Sequence, residues 1–492
     1  MMEGMSRMRI AIIGGGIAGL AAAYELEKAR SNGSDVTYTL YESRNRLGGS
    51  LASETVHGSV LEQGPDSFLT EKPAAIELCR ELGIGDALIP SNDSARKTFI
   101  VVRNRMVSLP DGLMFLVPTK LVPTALTRLF SIPTKIRMGM ELLLPPRPAA
   151  GDESVASLVK RHFGQEAVDR LADPLLSGIY GGDATQLSAQ TVLPMMVKME
   201  AEHGSLVRGM LAAHKKMRAA RKAKAPSTGA RPAPRPIFTA IRGGMQQMVD
   251  ALVGRLKTGE IRLNSPVRGL THRSGQWTVE TETGTERFDG VILASQAWAA
   301  GRMLSGVDAG LAADLSSIPY SSSITVNLVY DQKQLGELPE GFGFLVPAVE
   351  GRSMLACTFV HRKFLGRTAE GKLVFRAFLG GMKHDALLSV PDDRLVATVR
   401  RELGELLGKH VFDPAAEPEH AQVSKWQRAM AQYAVGHKER MARVHARLAT
   451  LAGLRLAGNA YDGIGVPDCI RLGRRAAREL AGVPEPAAAA RR

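Results

Sequence analysis

The chain has 492 residues and a formal charge of +14 at pH 7, with 45% apolar and 23% charged residues. That mix excludes a disordered chain, a collagen and a disulfide scaffold, and the length suggests about three domains at roughly 150 residues each. No apolar run approaches the roughly 18 residues of a membrane-spanning helix. Three widely spaced cysteines, Cys79, Cys357 and Cys469, form no C-x-x-C pair, so neither a disulfide framework nor structural zinc is expected. The positive charge suits nucleic acid, a membrane surface or an acidic small molecule, and does not choose among them.

In chain order, Ser6 to Arg9 and the apolar stretch Ile10–Ala23 imitate a signal peptide. The glycine spacing decides for a strand turning into a helix. Ile10–Ile13 reads as a buried strand, Gly14, Gly16 and Gly19 form G-x-G-x-x-G, and a helix is predicted from Leu20 to about Ala29. Val36–Tyr41 is the next strand and ends in Glu42, an acid placed to accept hydrogen bonds from a ribose. The first glycine allows the tight turn, the second the approach of a pyrophosphate, the third close packing of helix on strand. Gly48 and Gly49 permit backbone approach to the same phosphates, and Arg46 is a candidate to neutralise them; a solvated turn is the other reading of Arg46.

A helical region is expected at about 86–184. Within it, Phe115–Leu144 mixes apolar residues with Lys120, Arg128, Lys135 and Arg137 and is broken by prolines, so it either touches a membrane surface or roofs a cavity; the roof is preferred. His214–Arg235 holds eight Lys or Arg residues and reads as a solvated basic helix and linker; no nucleic-acid module accompanies it. Gly243-Gly244 opens a helix at Gln246–Leu256, followed by strands at Glu260–Leu263 and Trp277–Glu282 and a buried run at Val291–Ser295. Ser323–Tyr330, Met354–Thr358 and Leu373–Leu379 suggest a mixed sheet. Leu454–Ala457 reads as a strand entering a Gly458–Val466 turn, with Gly465 ahead of a helix from Asp468 to Leu480: a second helix N-terminus able to face a phosphate or a flavin edge. The tail after Ala481 is low in complexity. No triad and no metal-ligand spacing is found, so no metal is expected.

Glu42 through Gly49 (ESRNRLGG) resembles the second half of the dinucleotide motif of FAD-dependent amine oxidases, with Ser50 where relatives often carry a basic residue. Further segments resemble the oxygen-dependent porphyrinogen oxidases of haem synthesis: Glu62–Phe68 (EQGPDSF), Pro174–Asp183 (PLLSGIYGGD), Gly341–Pro347 (GFGFLVP), Ala377–Gly381 (AFLGG) and Gly458–Ile470. Ala356–His361 (ACTFVH) and Val466–Ile470 (VPDCI) especially are similar to the branch that acts on coproporphyrinogen III. Ala431-Gln432-Tyr433 departs by lacking a proline before Gln, and Ala219–Pro236 is longer and more basic than the pattern.

The resemblance implies an α/β fold: a Rossmann-like FAD domain with a mixed-sheet substrate domain and a helical subdomain. The FAD domain would comprise about 8–65, 237–310 and 420–482, the substrate domain 66–85, 185–236 and 311–419, and the helical region 86–184, with 483–492 a disordered tail. It implies FAD as cofactor, a six-electron oxidation of a porphyrinogen in three two-electron turns, and dioxygen as oxidant with peroxide formed. Val267 matches a backbone contact to adenine. Leu345 and Phe378 match residues that sandwich the macrocycle, Thr358 a neighbouring lining position, and Gly178 a glycine whose carbonyl faces the pyrrole N–H groups. Lys72 and Arg96 align with basic positions that hold propionates. Coproporphyrinogen III in a cytoplasmic enzyme is the expected substrate. Protoporphyrinogen IX at a membrane is the alternative, and an FAD amine oxidase or carotenoid desaturase a remoter one. Nucleic acid is not an expected partner; peripheral membrane contact and homo-oligomerisation stay open.

Overall fold

The structure, a computed structural model, describes residues 7–114, 116–147, 151–223 and 235–484. The basic stretch 224–234, Phe115 and the tail from 485 onward lie outside the described residues.

The apolar run that opens the chain becomes the central strand of a five-stranded parallel sheet, in the order Glu260–Arg262, Val36–Tyr41, Met8–Ile13, Gly290–Leu293, Leu454–Leu456. Ile12 lies between Leu40 and Ile292, and all three are fully buried. The three central strands are largely buried on both faces and read as apolar runs, which is why they were legible. The helices Ile17–Ser31 and Val466–Ala481 pack together on one face. Their contact is so close that a Cβ on Gly473 would sit 2.0 Å from the Ala18 carbonyl oxygen. Arg474 and Arg478 of the second helix each reach Glu25 of the first at 2.7 Å. An antiparallel three-stranded sheet, Val267–Phe288, caps the other face with Trp277 fully buried.

A seven-stranded sheet runs in the order His420–Ala431, Tyr320–Asp331, Lys372–Gly380, Met354–Phe359, Gly343–Leu345, Thr98–Val102, Arg105–Ser108. One face packs Val326, Phe344 and Phe375 against Leu395, Val399 and Leu403 of the helix Asp392–Leu407. The opposite face carries the candidate substrate residues.

Two assignments differ from the sequence reading. Thr98–Val102 and Arg105–Ser108, placed in the helical region, are strands of this sheet, because Thr98–Ile100 pairs with Gly343–Leu345 some 245 residues away and local pattern carries no trace of such a partner. The helices Pro194–His203 and Leu206–Ala223, placed with the substrate sheet, bury Met196, Met199, Leu206 and Val207 with Leu158, Val159 and Phe163 of the helical layer. In that layer the helix Ile132–Met140 turns Thr134 and Met138 inward and leaves Ile132, Ile136 and Met140 exposed.

Candidate flavin and substrate site

Each glycine of the first loop meets a different constraint. Gly14 has φ +112°, and a Cβ there would stand 2.7 Å from the Ala294 carbonyl oxygen. A Cβ on Gly19 would lie 1.9 Å from the Gly14 carbonyl oxygen, so helix and strand touch backbone to backbone. Gly16 differs: the nearest atom to its Cβ position is the Gly49 Cα at 3.9 Å. It bridges to Gly48 and caps the helix Ile17–Ser31, whose N-terminus has no side-chain cap and no acid in its first turn. Such an end carries unpaired N–H groups and a partial positive charge, the two features a pyrophosphate needs. The residues therefore fit a dinucleotide.

Glu42 is buried, and its carboxylate accepts from the Gly15 N–H at 2.7 Å and the Arg44 N–H at 2.9 Å. The Glu42 carbonyl accepts from the Ser265 N–H at 2.8 Å, which sets Val267 beside it at the start of the next sheet. Arg46 also bonds within its own turn. Its guanidinium donates to the carbonyls of Gly49 at 2.8 Å and Leu51 at 2.6 Å, so it holds the Gly48–Gly49 turn in shape.

The C-terminal half of the site is equally tight. Gly458 has φ +137°, and Gly465 caps the helix that begins at Val466. Tyr433, missed in the sequence, clamps this turn: its hydroxyl donates to the Asn459 carbonyl at 2.9 Å and accepts from the Gly463 N–H at 3.0 Å. The His437 ring stacks on Tyr433 at 4.3 Å, and burial holds its imidazole down at about 4. Cys469 is buried, and burial pushes its thiol up to about 12.

On the sheet, strand register brings the substrate candidates into one patch. Ile100, Leu345, Ala356, Phe378 and Thr325 form one cross-strand row, and Thr98, Gly343, Thr358, Arg376 and Asn327 the next. Gly178, in the helix Asp173–Tyr180, faces this patch: a Cβ there would stand 3.3 Å from Leu345 Cδ2. Leu345, Thr358 and Phe378 are half-buried. Arg96 is exposed and lies four residues before Ile100, at the rim of the patch. Lys72 is not a free cation; its Nζ lies 2.6 Å from Asp468 Oδ2.

The segment Glu62–Phe68 lies between the two halves. A Cβ on Gly64 would stand 1.8 Å from the Ser50 carbonyl oxygen, which seats the segment on the flavin loop. Side chains of the substrate sheet, and Arg367 from the connection ahead of its strand Lys372–Gly380, hold its carbonyls: Asn327 donates to Glu62 at 3.0 Å, Trp426 to Gln63 at 2.7 Å, Arg376 to Gly64 and Arg367 to Asp66 at 3.0 Å. Arg367 pairs with Glu62 at 2.6 Å, both buried, and Lys363 with Asp66 at 3.0 Å. Burial alone would raise the Asp66 carboxyl, yet Lys363 and Arg376 hold it well below the usual carboxylate range. The Arg376 guanidinium lies 4.8 Å from the Phe378 ring centroid. None of these four donors was legible, because each works through folding of distant strands. Among the described residues no cluster of metal-ligating side chains exists.

An uncapped helix end, a buried acid ending the second strand and a second glycine turn at the far end of the chain define a dinucleotide flavoprotein. Comparison with known proteins agrees: the sequence profile of flavin-containing amine oxidoreductases matches residues 17–481, and the chain belongs to that family. It is an oxidoreductase, and its cofactor is FAD. Within the family it is 31% identical to the coproporphyrinogen III oxidase of Bacillus subtilis, over 96% of this chain and 97% of that one. It is 32% identical to the enzyme of that name from Propionibacterium freudenreichii, over 96% of this chain and 91% of that one. A solved structure from Exiguobacterium, provisionally named a protoporphyrinogen oxidase, superposes with a TM-score of 0.83 at 30% identity, covering 97% of this chain and 99% of that one.

Proposed function

We propose that this protein oxidises coproporphyrinogen III to coproporphyrin III, removing six electrons in three turns with dioxygen as the final acceptor and peroxide as its product. The observation that carries this reading is the cross-strand row Leu345–Ala356–Phe378, which strand register gathers on one sheet face next to Gly178. The full-length similarity to coproporphyrinogen III oxidases supports the same substrate.

FAD, when bound, accepts two electrons per turn and returns them to dioxygen. The chain's own work is placement. Leu345 and Phe378 contact the macrocycle, Thr358 lines the same face, and the Gly178 carbonyl receives pyrrole N–H groups. Gly14, Gly16, Gly19, Gly48 and Gly49 hold the pyrophosphate, Glu42 the ribose, Val267 the adenine, and Gly458, Gly465 and Val466 the far end of the cofactor. Lys72 and Arg96 serve the propionates. The domain division is that of the two sheets plus the helical layer. Aerobic oxidation of coproporphyrinogen III and protoporphyrinogen IX side by side, followed by porphyrin fluorescence and peroxide, tests the reading. Faster turnover of the first is expected; preference for the second moves the assignment to protoporphyrinogen, and turnover of neither by FAD-loaded protein overturns it.

No helix among the described residues is long and apolar enough to cross a membrane. Peripheral contact is proposed through the outward stripe of Val122, Leu126, Ile132, Ile136 and Leu143, all more than half exposed and bordered by Lys120, Arg128 and Arg137. Sedimentation with anionic vesicles supports the contact, and a protein that stays in the supernatant overturns it; self-association without vesicles would instead assign the stripe to a homo-oligomer.

A further inference from the structure

The strand His420–Ala431 runs directly into Gln432 and Tyr433, two adjacent residues that grip different parts of the site. Tyr433 clamps the flavin-side turn through Asn459 and Gly463. Gln432, only 3% exposed, holds the helical layer. Its side-chain amide nitrogen donates to the Tyr180 carbonyl at 2.7 Å, the Ser321 hydroxyl at 3.0 Å and the Met430 carbonyl at 3.2 Å. Two of these neighbours are carbonyls, which only accept, so the amide must turn its nitrogen toward them. Its oxygen lies against Gly182, where an added Cβ would stand 2.4 Å from it, and no donor among the described residues meets it.

Tyr180 is the last residue of the helix Asp173–Tyr180, two positions beyond Gly178. The chain turns there at Gly181, with φ +58°, whose carbonyl accepts from the Met382 N–H at 3.1 Å. The other end of the helix is held less firmly. It grows out of a π-helical turn, Val168–Ala172, which interrupts regular α-helical bonding. The tie at that end is Lys383 to Asp173 at 3.3 Å, and with Lys383 41% exposed, water screens the pair. The bonds of Gln432 are made where water does not compete. The Gly178 end of the helix is therefore the fixed end, and Gln432 is the side chain that fixes it. Little slack remains above the sheet, since a Cβ on Gly178 would stand 3.3 Å from Leu345 Cδ2.

We propose that Gln432 is a positioning residue for the transfer of hydrogen from substrate to flavin. Through the Tyr180 carbonyl it sets the Gly178 helix over the Leu345–Phe378 row, and through the adjoining Tyr433 that setting is tied to the flavin turn. The inference rests on the porphyrinogen reading and deepens it, by assigning what keeps the two halves of the site in register. Each turn moves two hydrogens with their electrons from the porphyrinogen to FAD, giving FADH2, and the same two pass to dioxygen as hydrogen peroxide. Gln432 bears on the first transfer alone.

The test is stopped-flow absorbance of the bound flavin in FAD-loaded wild type and Gln432→Met, a change that keeps the side chain's length and removes its donor. Anaerobic reduction by coproporphyrinogen III and reoxidation by dioxygen are timed separately, and FAD content is measured on the same samples. Misplacement of the reacting groups by a fraction of an ångström should slow reduction about tenfold per bound flavin, with KM changed less than about twofold. Reoxidation and FAD content should stay at the wild-type level. A purely structural role would lower FAD content or the melting temperature and leave the rate per bound flavin unchanged, which overturns the proposal; equal slowing of both half-reactions overturns it too. If Gln432→Met does not fold, Gly182→Ala decides. Its Cβ meets only the ends of flexible side chains, the Gln432 oxygen at 2.4 Å and Leu187 Cδ1 at 2.9 Å, so it swings the amide away from Tyr180 without removing it. The same selective slowing is expected, and an unchanged reduction rate sinks the inference. FAD-loaded wild type that neither porphyrinogen reduces instead defeats the functional reading beneath it.

Discussion

Gly16→Val separates holding the cofactor from holding the fold. Gly16 has φ −72° and ψ 179°, extended backbone that valine adopts without strain. Its Cβ position is open except for the Gly49 Cα at 3.9 Å, so the folded chain accommodates the substitution. The added methyls occupy the space through which a pyrophosphate reaches the uncapped helix end. Losing two charge-assisted hydrogen bonds at about 1.5–3 kcal/mol each weakens FAD binding by about 3–6 kcal/mol, or roughly 10²- to 10⁴-fold. Stability of the FAD-free chain should change by less than about 0.5 kcal/mol. Gly19→Ala is the contrast: its Cβ meets the Gly14 carbonyl oxygen at 1.9 Å and must displace backbone, so the FAD-free protein itself should lose about 1–3 kcal/mol. The assay is the flavin-to-protein absorbance ratio after gel filtration, with thermal unfolding of FAD-stripped samples. A Gly16→Val protein that retains a full complement of FAD, or whose stripped form melts as early as Gly19→Ala, refutes the reasoning.

Phe378→Ala removes an apolar face offered to the macrocycle and should cost about 2 kcal/mol of substrate binding, roughly thirtyfold in kcat/KM, with FAD content intact; unchanged kinetics would place Phe378 outside the site. Tyr433→Phe leaves the Gly463 N–H and the Asn459 carbonyl without the shared hydroxyl, so FAD should dissociate about tenfold faster, and an unaltered off-rate would show that the clamp is idle. Acid should destabilise the fold through His437, whose folded-state value is depressed to about 4 by burial. The unfolded chain binds that proton first, so stability is full above about pH 6.5, falls as pH drops toward 4 and loses about 3 kcal/mol from this group. Denaturant titrations across that range should show a shallower pH slope for His437→Gln, and identical slopes would clear His437 of the effect.

The flavin half was legible because its constraints are local. A strand, a turn that opens on the positive-φ Gly14 and a helix N-terminus are written in consecutive residues, and Glu42 follows from the same unit. Leu345 and Phe378 owed their place to the family resemblance; the register that sets them in one row was not in the sequence. Arg46, Lys72 and Arg376 show the limit. Arg46 was read as a phosphate partner or a solvated turn, and Lys72, through the family resemblance, as a propionate partner; the carbonyls and the carboxylate that meet these three side chains come from up to 396 residues away. The Thr98–Ser108 strands were misplaced for the same reason, since a strand's identity rests on a partner that local composition does not name.

The contact between Gly473 and Ala18 also bears on the order in which the molecule can be made. The pyrophosphate loop leaves the ribosome within the first fifty residues, but the helix against which its own helix is seated, and the fifth strand of its sheet, are built from residues 454–481. Until those emerge, the helix Ile17–Ser31 has its glycine-matched surface bare and Glu25 lacks Arg474 and Arg478. FAD capture is therefore an event of the finished chain, and a ribosome stalled short of the last helix should release a polypeptide that is colourless and dependent on chaperones.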